Sequence, residues 1–256
     1  MKAAGTVYLV GAGPGAPDLL TLRAARLLER ADVVFFDALV HPETVALAAR
    51  AEKIAVGKRC GRHSTAQRFI NKRLIDAAQC HEIVVRLKGG DPMLFGRAQE
   101  EIDALQEAGV KVEVVPGITA ALAACAELKI SFTQRGISRH VALVTLRIGE
   151  GKNPSDWLRT VCNADSSAIY MAAGQAETLT ANLIAAGLAG ETAVRIVENV
   201  SLPESRQLRT TLAGLPAAAR RLGAGPAIIL LGSAFARADA MTFSIDSVTP
   251  ARAVGA

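Results

Sequence analysis

Short apolar blocks alternate along this chain with longer stretches whose apolar residues recur at helical spacing. Val7–Val10, Val33–Phe36, Ile83–Leu87 and Val112–Val115 read as strands. Leu19–Arg30, Arg97–Ala108 and a stretch near Ala120–Glu127 read as helices. Ser64-Thr-Ala-Gln67 has the form of a capping box and predicts a helix through about Ala78. Such alternation predicts an α/β fold, with a mostly parallel sheet and helices on its faces. The polar, glycine-interrupted segment Ser131–Arg139 marks a division. We expect one domain over 1–133, a second over 134–240, and a frayed tail over 241–256, where periodicity is lost. In the second half, strands are expected at Val141–Thr145, Ala168–Met171, Ala193–Val197, Gln207–Thr211 and Ile228–Leu231. Helices are expected at Glu177–Ala186 and in a stretch ending near Arg221. The close spacing of the later strands predicts a mixed sheet.

The 256 residues are 50% hydrophobic, enough for a sizeable core. No apolar run approaches the length of a membrane span, and the N-terminal apolar stretch is too brief for a signal peptide. Cys60, Cys80, Cys125 and Cys162 are scattered, with no Cys/His cluster of the kind structural zinc requires. A cytoplasmic protein without a metal is expected. Net charge is +5, and seven Lys/Arg but no Asp or Glu fall between Lys53 and Arg73. Arg68, Lys72 and Arg73 fit a solvated helix face. The stretch GKRCGRHS crowds Lys58, Arg59 and Arg62 among glycines, as an anion site would.

Three glycine turns follow strands directly. Gly11-Ala-Gly-Pro-Gly15 fits the dinucleotide fingerprint, with Asp32 near the expected acidic position. A nicotinamide or flavin enzyme is therefore one reading. Pro14 argues against it, because it removes an N–H from a loop that must donate to pyrophosphate. The second turn is Gly89-Gly-Asp-Pro-Met-Leu-Phe-Gly-Arg97, and the third is Pro116-Gly-Ile-Thr-Ala120. Three such turns at strand C-termini in one domain predict a shared ligand edge.

The runs VYLVGAGPG, ADVVFFDALV, VGKRCGRHS, VVRLKGGDPMLFGR, EVVPGITAA, IYMA and VEN resemble the uroporphyrinogen-III C-methyltransferases of the tetrapyrrole methylase superfamily. The resemblance extends from about Val7 to Ser233, and a fused dehydrogenase/chelatase domain is not expected. It implies two α/β domains, each an α/β sandwich, with the active site in the cleft between them, in a homodimer. The implied cofactor is S-adenosylmethionine, with S-adenosylhomocysteine as product. The implied reaction is two successive C-methylations of uroporphyrinogen III to precorrin-2, which feeds sirohaem, cobalamin and haem d1. Neither a nucleic-acid nor a membrane partner is expected.

Residue by residue, the resemblance places Pro14, Gly89, Gly90, Asp91 and Leu94 beside the cofactor. Thr119 and Ala120 meet it from the third turn, and Met171, Val200 and Ala227 from the second domain. Asp37 matches a position proposed as proton acceptor; a helix N-cap or ribose contact is the alternative. Lys58 matches a proposed proton donor, or else a carboxylate clamp. Arg97 matches an essential substrate arginine, and a bidentate carboxylate clamp suits a guanidinium better than a base does. Glu100 and Arg135 match further substrate contacts. Two departures stand out: Thr145-Leu146-Arg147 replaces a Thr-Gly-His stretch, and Asn199-Val200-Ser201 replaces an Asn-Gly-Thr-like turn. These leave open a methyltransferase acting on another precorrin. The basic run raises an RNA substrate, but Phe69 is its only interleaved aromatic and stacking platforms need more.

Overall fold

A computed structural model describes residues 4–56, 63–146 and 157–236, with side chains of the second stretch from residue 67 onward. In chain order the elements are β1 (Thr6–Gly11), α1 (Leu22–Arg30), β2 (Val33–Phe36), α2 (Pro42–Ala46), β3 (Glu52–Ala55), α3 (His63–Cys80), β4 (Ile83–Lys88), α4 (Ala98–Glu107), β5 (Lys111–Val115) and α5 (Ala120–Leu128). They continue as β6 (Val141–Thr145), α6 (Trp157–Asn163), β7 (Ser166–Tyr170), α7 (Ala176–Ala185), β8 (Ala193–Glu198), β9 (Arg206–Thr211), α8 (Leu215–Ala219) and β10 (Ala227–Gly232).

The first five strands form a parallel sheet in the order β3-β2-β4-β1-β5. Side chains alternate across it. Val10, Val34, Val85, Leu87 and Val115 pack on α1 and α2, while Val7, Leu9, Val33, Phe35 and Val84 pack on α3 and α4. Each fully buried large side chain of this kind stabilises by about 1.5–3 kcal/mol. From β1 the chain runs toward β2, and from β4 it runs toward β5. The C-terminal ends of these two adjacent strands therefore flank a switch point, where open α/β sheets place ligands.

The second sheet has the order β6-β7-β10-β8-β9, parallel between β6 and β7 and antiparallel elsewhere. One face carries α6, α7 and α8. The other is covered by α5, whose Ala121, Ala124 and Cys125 pack with Ala168, Val197, Ile228 and Leu230. Hydrophobic packing thus joins residues 121–132 to the second sheet. Both halves are α/β sandwiches, as expected.

Local expectations differ from the structure at several points. Helix α1 begins at Leu22, because Thr21 Oγ1 accepts from Ala24 N at 3.1 Å and caps it there. Helix α3 opens at His63, ahead of the expected cap, and Gln67 Nε2 donates to Asn71 Oδ1 and to Glu101 Oε1 in the interior. Strand β3 was not expected: it is a mostly exposed edge strand with no apolar alternation to reveal it. The expected tail, 241–256, lies outside the described residues. Among the described residues, no helix is long and apolar enough to cross a membrane.

Candidate active site

The three glycine turns meet at the C-terminal edge of the first sheet and are stitched together by their own backbones. Ala12 N donates to Lys88 O at 2.7 Å, Gly13 N to Gly90 O at 3.2 Å, and Gly90 N to Gly13 O at 2.7 Å. Asp91 fastens the third turn: Oδ2 accepts from Gly117 N at 2.9 Å and Oδ1 from Met93 N at 2.8 Å. The first turn also touches the second sheet's loop, because Ala16 N donates to Ser201 Oγ at 3.0 Å. Glu127 Oε2 in turn accepts from Ser201 N at 2.9 Å.

This wiring decides what the turns can bind. The N–H groups of Ala12, Gly13, Ala16, Gly90 and Gly117 are all spent within the protein, and Pro14 has none. A pyrophosphate cradle requires such groups to be free. Asp32 sits at the opposite end of the sheet, where its Oδ2 accepts from Glu82 N and Ile83 N at 2.9 Å each. It does not reach a ribose at the glycine turns. The dinucleotide reading of GAGPGA is thereby corrected.

Between the turns and the second sheet lies a cleft of about 420 Å³, within the size range of small-molecule sites. All the residues expected beside a cofactor line it together: Pro14; Gly89, Gly90, Asp91 and Leu94; Thr119 and Ala120; Met171, Val200 and Ala227. Asp37 lines it too. Arg97, Glu100 and Arg135 are not among the lining residues. Arg97 forms a bidentate pair with Glu100, Nε to Oε1 at 2.8 Å and Nη2 to Oε2 at 2.7 Å, on the exposed start of α4. This pair holds the guanidinium pKa above its ordinary value. Arg135 is exposed on the segment joining the two sheets. Lys58, Arg59, Arg62 and Arg147 lie outside the described residues.

Asp37 is not a helix cap. Helix α2 starts at Pro42 behind the His41 cap, and Asp37 Oδ1 instead takes Arg86 Nη2 at 2.6 Å. Arg86 belongs to a buried network that sequence reasoning missed. Arg86 Nε donates to Glu101 Oε1 at 3.1 Å, and Lys88 Nζ to Glu101 Oε2 at 2.9 Å. Glu101 is fully buried and also accepts from Gln67. Burial pushes the pKa of Arg86 down, but Asp37 and Glu101 outweigh it and leave a net rise. The signal was present in the sequence. Arg86 and Lys88 alternate within VVRLK, a central strand covered on both faces, so an acid from a packing helix had to neutralise them.

Tyr170 was also missed. Its hydroxyl accepts from Ala121 N at 3.2 Å and pairs with Thr119 Oγ1 at 2.6 Å, so a residue of the second sheet caps α5. Its ring lies 5.1 Å from that of Phe95. Burial raises the Tyr170 pKa, which keeps the phenol a neutral donor and acceptor. Phe95, Arg97, Met171, Asn199 and Ser201 all hold positive φ without being glycine. Such conformations are costly and cluster where a site must be shaped. Leu39, Phe95 and Met171 leave apolar surface open to the cleft, ready to be covered by a ligand.

Comparison with known proteins agrees with this geometry. Residues 6–216 match the family of Tetrapyrrole (Corrin/Porphyrin) Methylases. The Uroporphyrinogen-III C-methyltransferase of Pseudomonas aeruginosa is 42% identical over 229 residues, which is 89% of this chain and 93% of that protein. Siroheme synthase 3 of Aeromonas hydrophila is 42% identical over 244 residues, 94% of this chain but 52% of that protein. The chain spans about half the length of the siroheme synthases it matches. A solved structure of Uroporphyrin-III C-methyl transferase from Thermus thermophilus, complexed with S-adenyl homocysteine, superposes with a TM-score of 0.78 at 37% identity, covering 90% of this chain and 93% of that one. The chain belongs to the tetrapyrrole (corrin/porphyrin) methylase family.

Proposed function

We propose that this chain transfers methyl groups from S-adenosylmethionine to two ring carbons of uroporphyrinogen III in turn, giving precorrin-2. The observation that carries the reading is the cleft, where every residue expected beside the donor faces one hollow. Its lining is mostly glycine, proline and apolar side chains with Asp37, Lys88 and Asp91 among them, and the turn N–H groups of Gly13 and Gly90 are bonded to each other's carbonyls, which suits an adenosine and an adjoining cationic sulfur better than a phosphate. When bound, the donor supplies an electrophilic methyl on a sulfonium that leaves neutral, so no oxyanion hole is required.

The protein's part is then positioning and proton control. The stitched turns fix the donor's pose, and in-line placement of the reacting atoms at about 3–3.5 Å is where most of the acceleration arises. Leu39, Phe95 and Met171 exclude water. Asp37, at the cleft wall, is the group we assign to accept the one proton released per methyl gained, and Lys58 the proton donor that lends a proton and takes it back as the macrocycle tautomerises. Arg97 clamps a substrate carboxylate. Its pair with Glu100 is largely exposed and worth about 0–1 kcal/mol, so a substrate carboxylate can displace it. The reading extends to a cytoplasmic homodimer. Exposed Leu122, Val141 and Leu143 offer an apolar face for a second copy.

The test is anaerobic turnover of uroporphyrinogen III with S-adenosylmethionine, followed by mass. The wild type is expected to add one methyl and then a second. Arg97→Ala is expected to raise KM for the macrocycle about tenfold or more, the size of a lost charge-assisted clamp, with S-adenosylhomocysteine binding unchanged. Binding of S-adenosylhomocysteine without methylation of uroporphyrinogen III would overturn the substrate assignment.

A further inference from the structure

One member of the buried charge network has incomplete bonding. Lys88 ends β4 with its side chain 4% exposed. Its ammonium carries three N–H donors, yet Glu101 Oε2 is its hydrogen-bond partner among the described residues. Arg86, beside it, donates to Asp37, Glu101 and the carbonyl of Leu87. Buried donors are as a rule matched. Here the two remaining donors belong to a residue that lines the cleft.

The backbone beside it leaves room for the lysine stem at that wall. A Cβ on Gly96 would stand 3.1 Å from Lys88 Cε and 2.7 Å from Pro92 O, so the bare glycine keeps the space over the lysine stem clear. The other polar groups on the wall are already committed. Asp91 is bound to Gly117 N and Met93 N, Thr119 to Tyr170, and Asp37 is charge-matched by Arg86. Burial, and then Arg86, hold the Lys88 pKa below its ordinary value, with Glu101 and Asp37 offsetting this only in part. An ammonium in that condition gains from one more anion.

We propose that Lys88 is a ligand-binding residue of the cleft, whose ammonium receives a carboxylate of the bound reactants and so completes the bonding that Glu101 begins. The inference rests on the methyl-transfer reading, which offers two sources: the amino-acid end of the methyl donor, or a side-chain carboxylate of the macrocycle. Because binding favours the charged lysine, carboxylate affinity falls as pH rises through its lowered pKa.

The experiment compares wild type with Lys88→Gln, and with the double variant Lys88→Met/Glu101→Gln. The double variant removes both halves of the pair and leaves Arg86 balanced by Asp37, which keeps the protein foldable if the single variant is not. Calorimetric titrations use S-adenosylhomocysteine and 5′-methylthioadenosine, which lacks the amino-acid end. If the donor supplies the carboxylate, the variants bind S-adenosylhomocysteine about tenfold to a hundredfold more weakly and 5′-methylthioadenosine as before. If the macrocycle supplies it, both titrations match wild type and KM for uroporphyrinogen III rises by a similar factor. Folded variants with wild-type values for both would overturn the inference. Failure of the wild type itself to bind S-adenosylhomocysteine would sink the functional reading instead.

Discussion

Glu101→Ala is expected to destabilise the protein by about 3–5 kcal/mol, the usual cost of stripping the partner from buried charges. The loss follows from what would be left behind. Arg86 and Lys88 lie side by side on one face of a strand that is covered above and below, with side chains 3% and 4% exposed. Asp37 can satisfy only Arg86, so Lys88 would remain desolvated beside another cation. Glu101→Gln should cost less, because it keeps the shape and one acceptor for Gln67 or Arg86. Urea or guanidinium unfolding monitored by far-ultraviolet circular dichroism measures both. A loss below about 1 kcal/mol for the alanine variant, in the range of surface changes, would mean that the network is solvated in solution.

Gly11→Ala is expected to slow methyl transfer about 100-fold while leaving a folded, less stable protein. The added Cβ would stand 2.6 Å from Cα and N of Gly117 and 2.7 Å from Gly90 O. All three are backbone atoms of the other two turns, so no side chain can swing aside. Overpacking of this kind costs about 1–3 kcal/mol. Relief must come from separating the turns, and a displacement near 1 Å at a reacting centre costs about 100-fold in rate. Affinity for S-adenosylhomocysteine should fall with it. Near-wild-type turnover would show that the three turns do not form one rigid donor seat.

Much of this architecture was legible in the chain. Most of the first sheet was legible because parallel strands buried on both faces need unbroken apolar blocks such as Val33–Phe36, and β1, β4 and β5 end in turns that glycine and proline make conspicuous. The strand-tip wall of the cleft was legible for the same reason, since the turns that line it are sequence-local. Three other features were hidden. Strand β3 is an edge strand with exposed side chains, so nothing in EKIA distinguishes it from a loop. Tyr170 caps a helix 49 residues earlier in the chain, a partnership that no local pattern encodes. Arg86 and Lys88 on a doubly covered strand call for a buried acid, but AQEEIDALQE in helix α4 offers several and its local pattern does not say which one supplies it. Only packing shows that Glu101 faces inward. Arg97 and Glu100 were both expected at the substrate, and the structure pairs them with each other at the cleft's exposed flank; a carboxylate-rich substrate is what would separate them.

On the proposed reading, the methyl donor occupies the hollow between the strand-tip turns and the second sheet. A crystal structure of this protein soaked with S-adenosylhomocysteine tests it most directly. The ligand's thioether is expected against the turn at residues 89–91, with its adenosine between Thr119 and Val200. Ligand density elsewhere on the protein, or a dinucleotide accepted in its place, would contradict it.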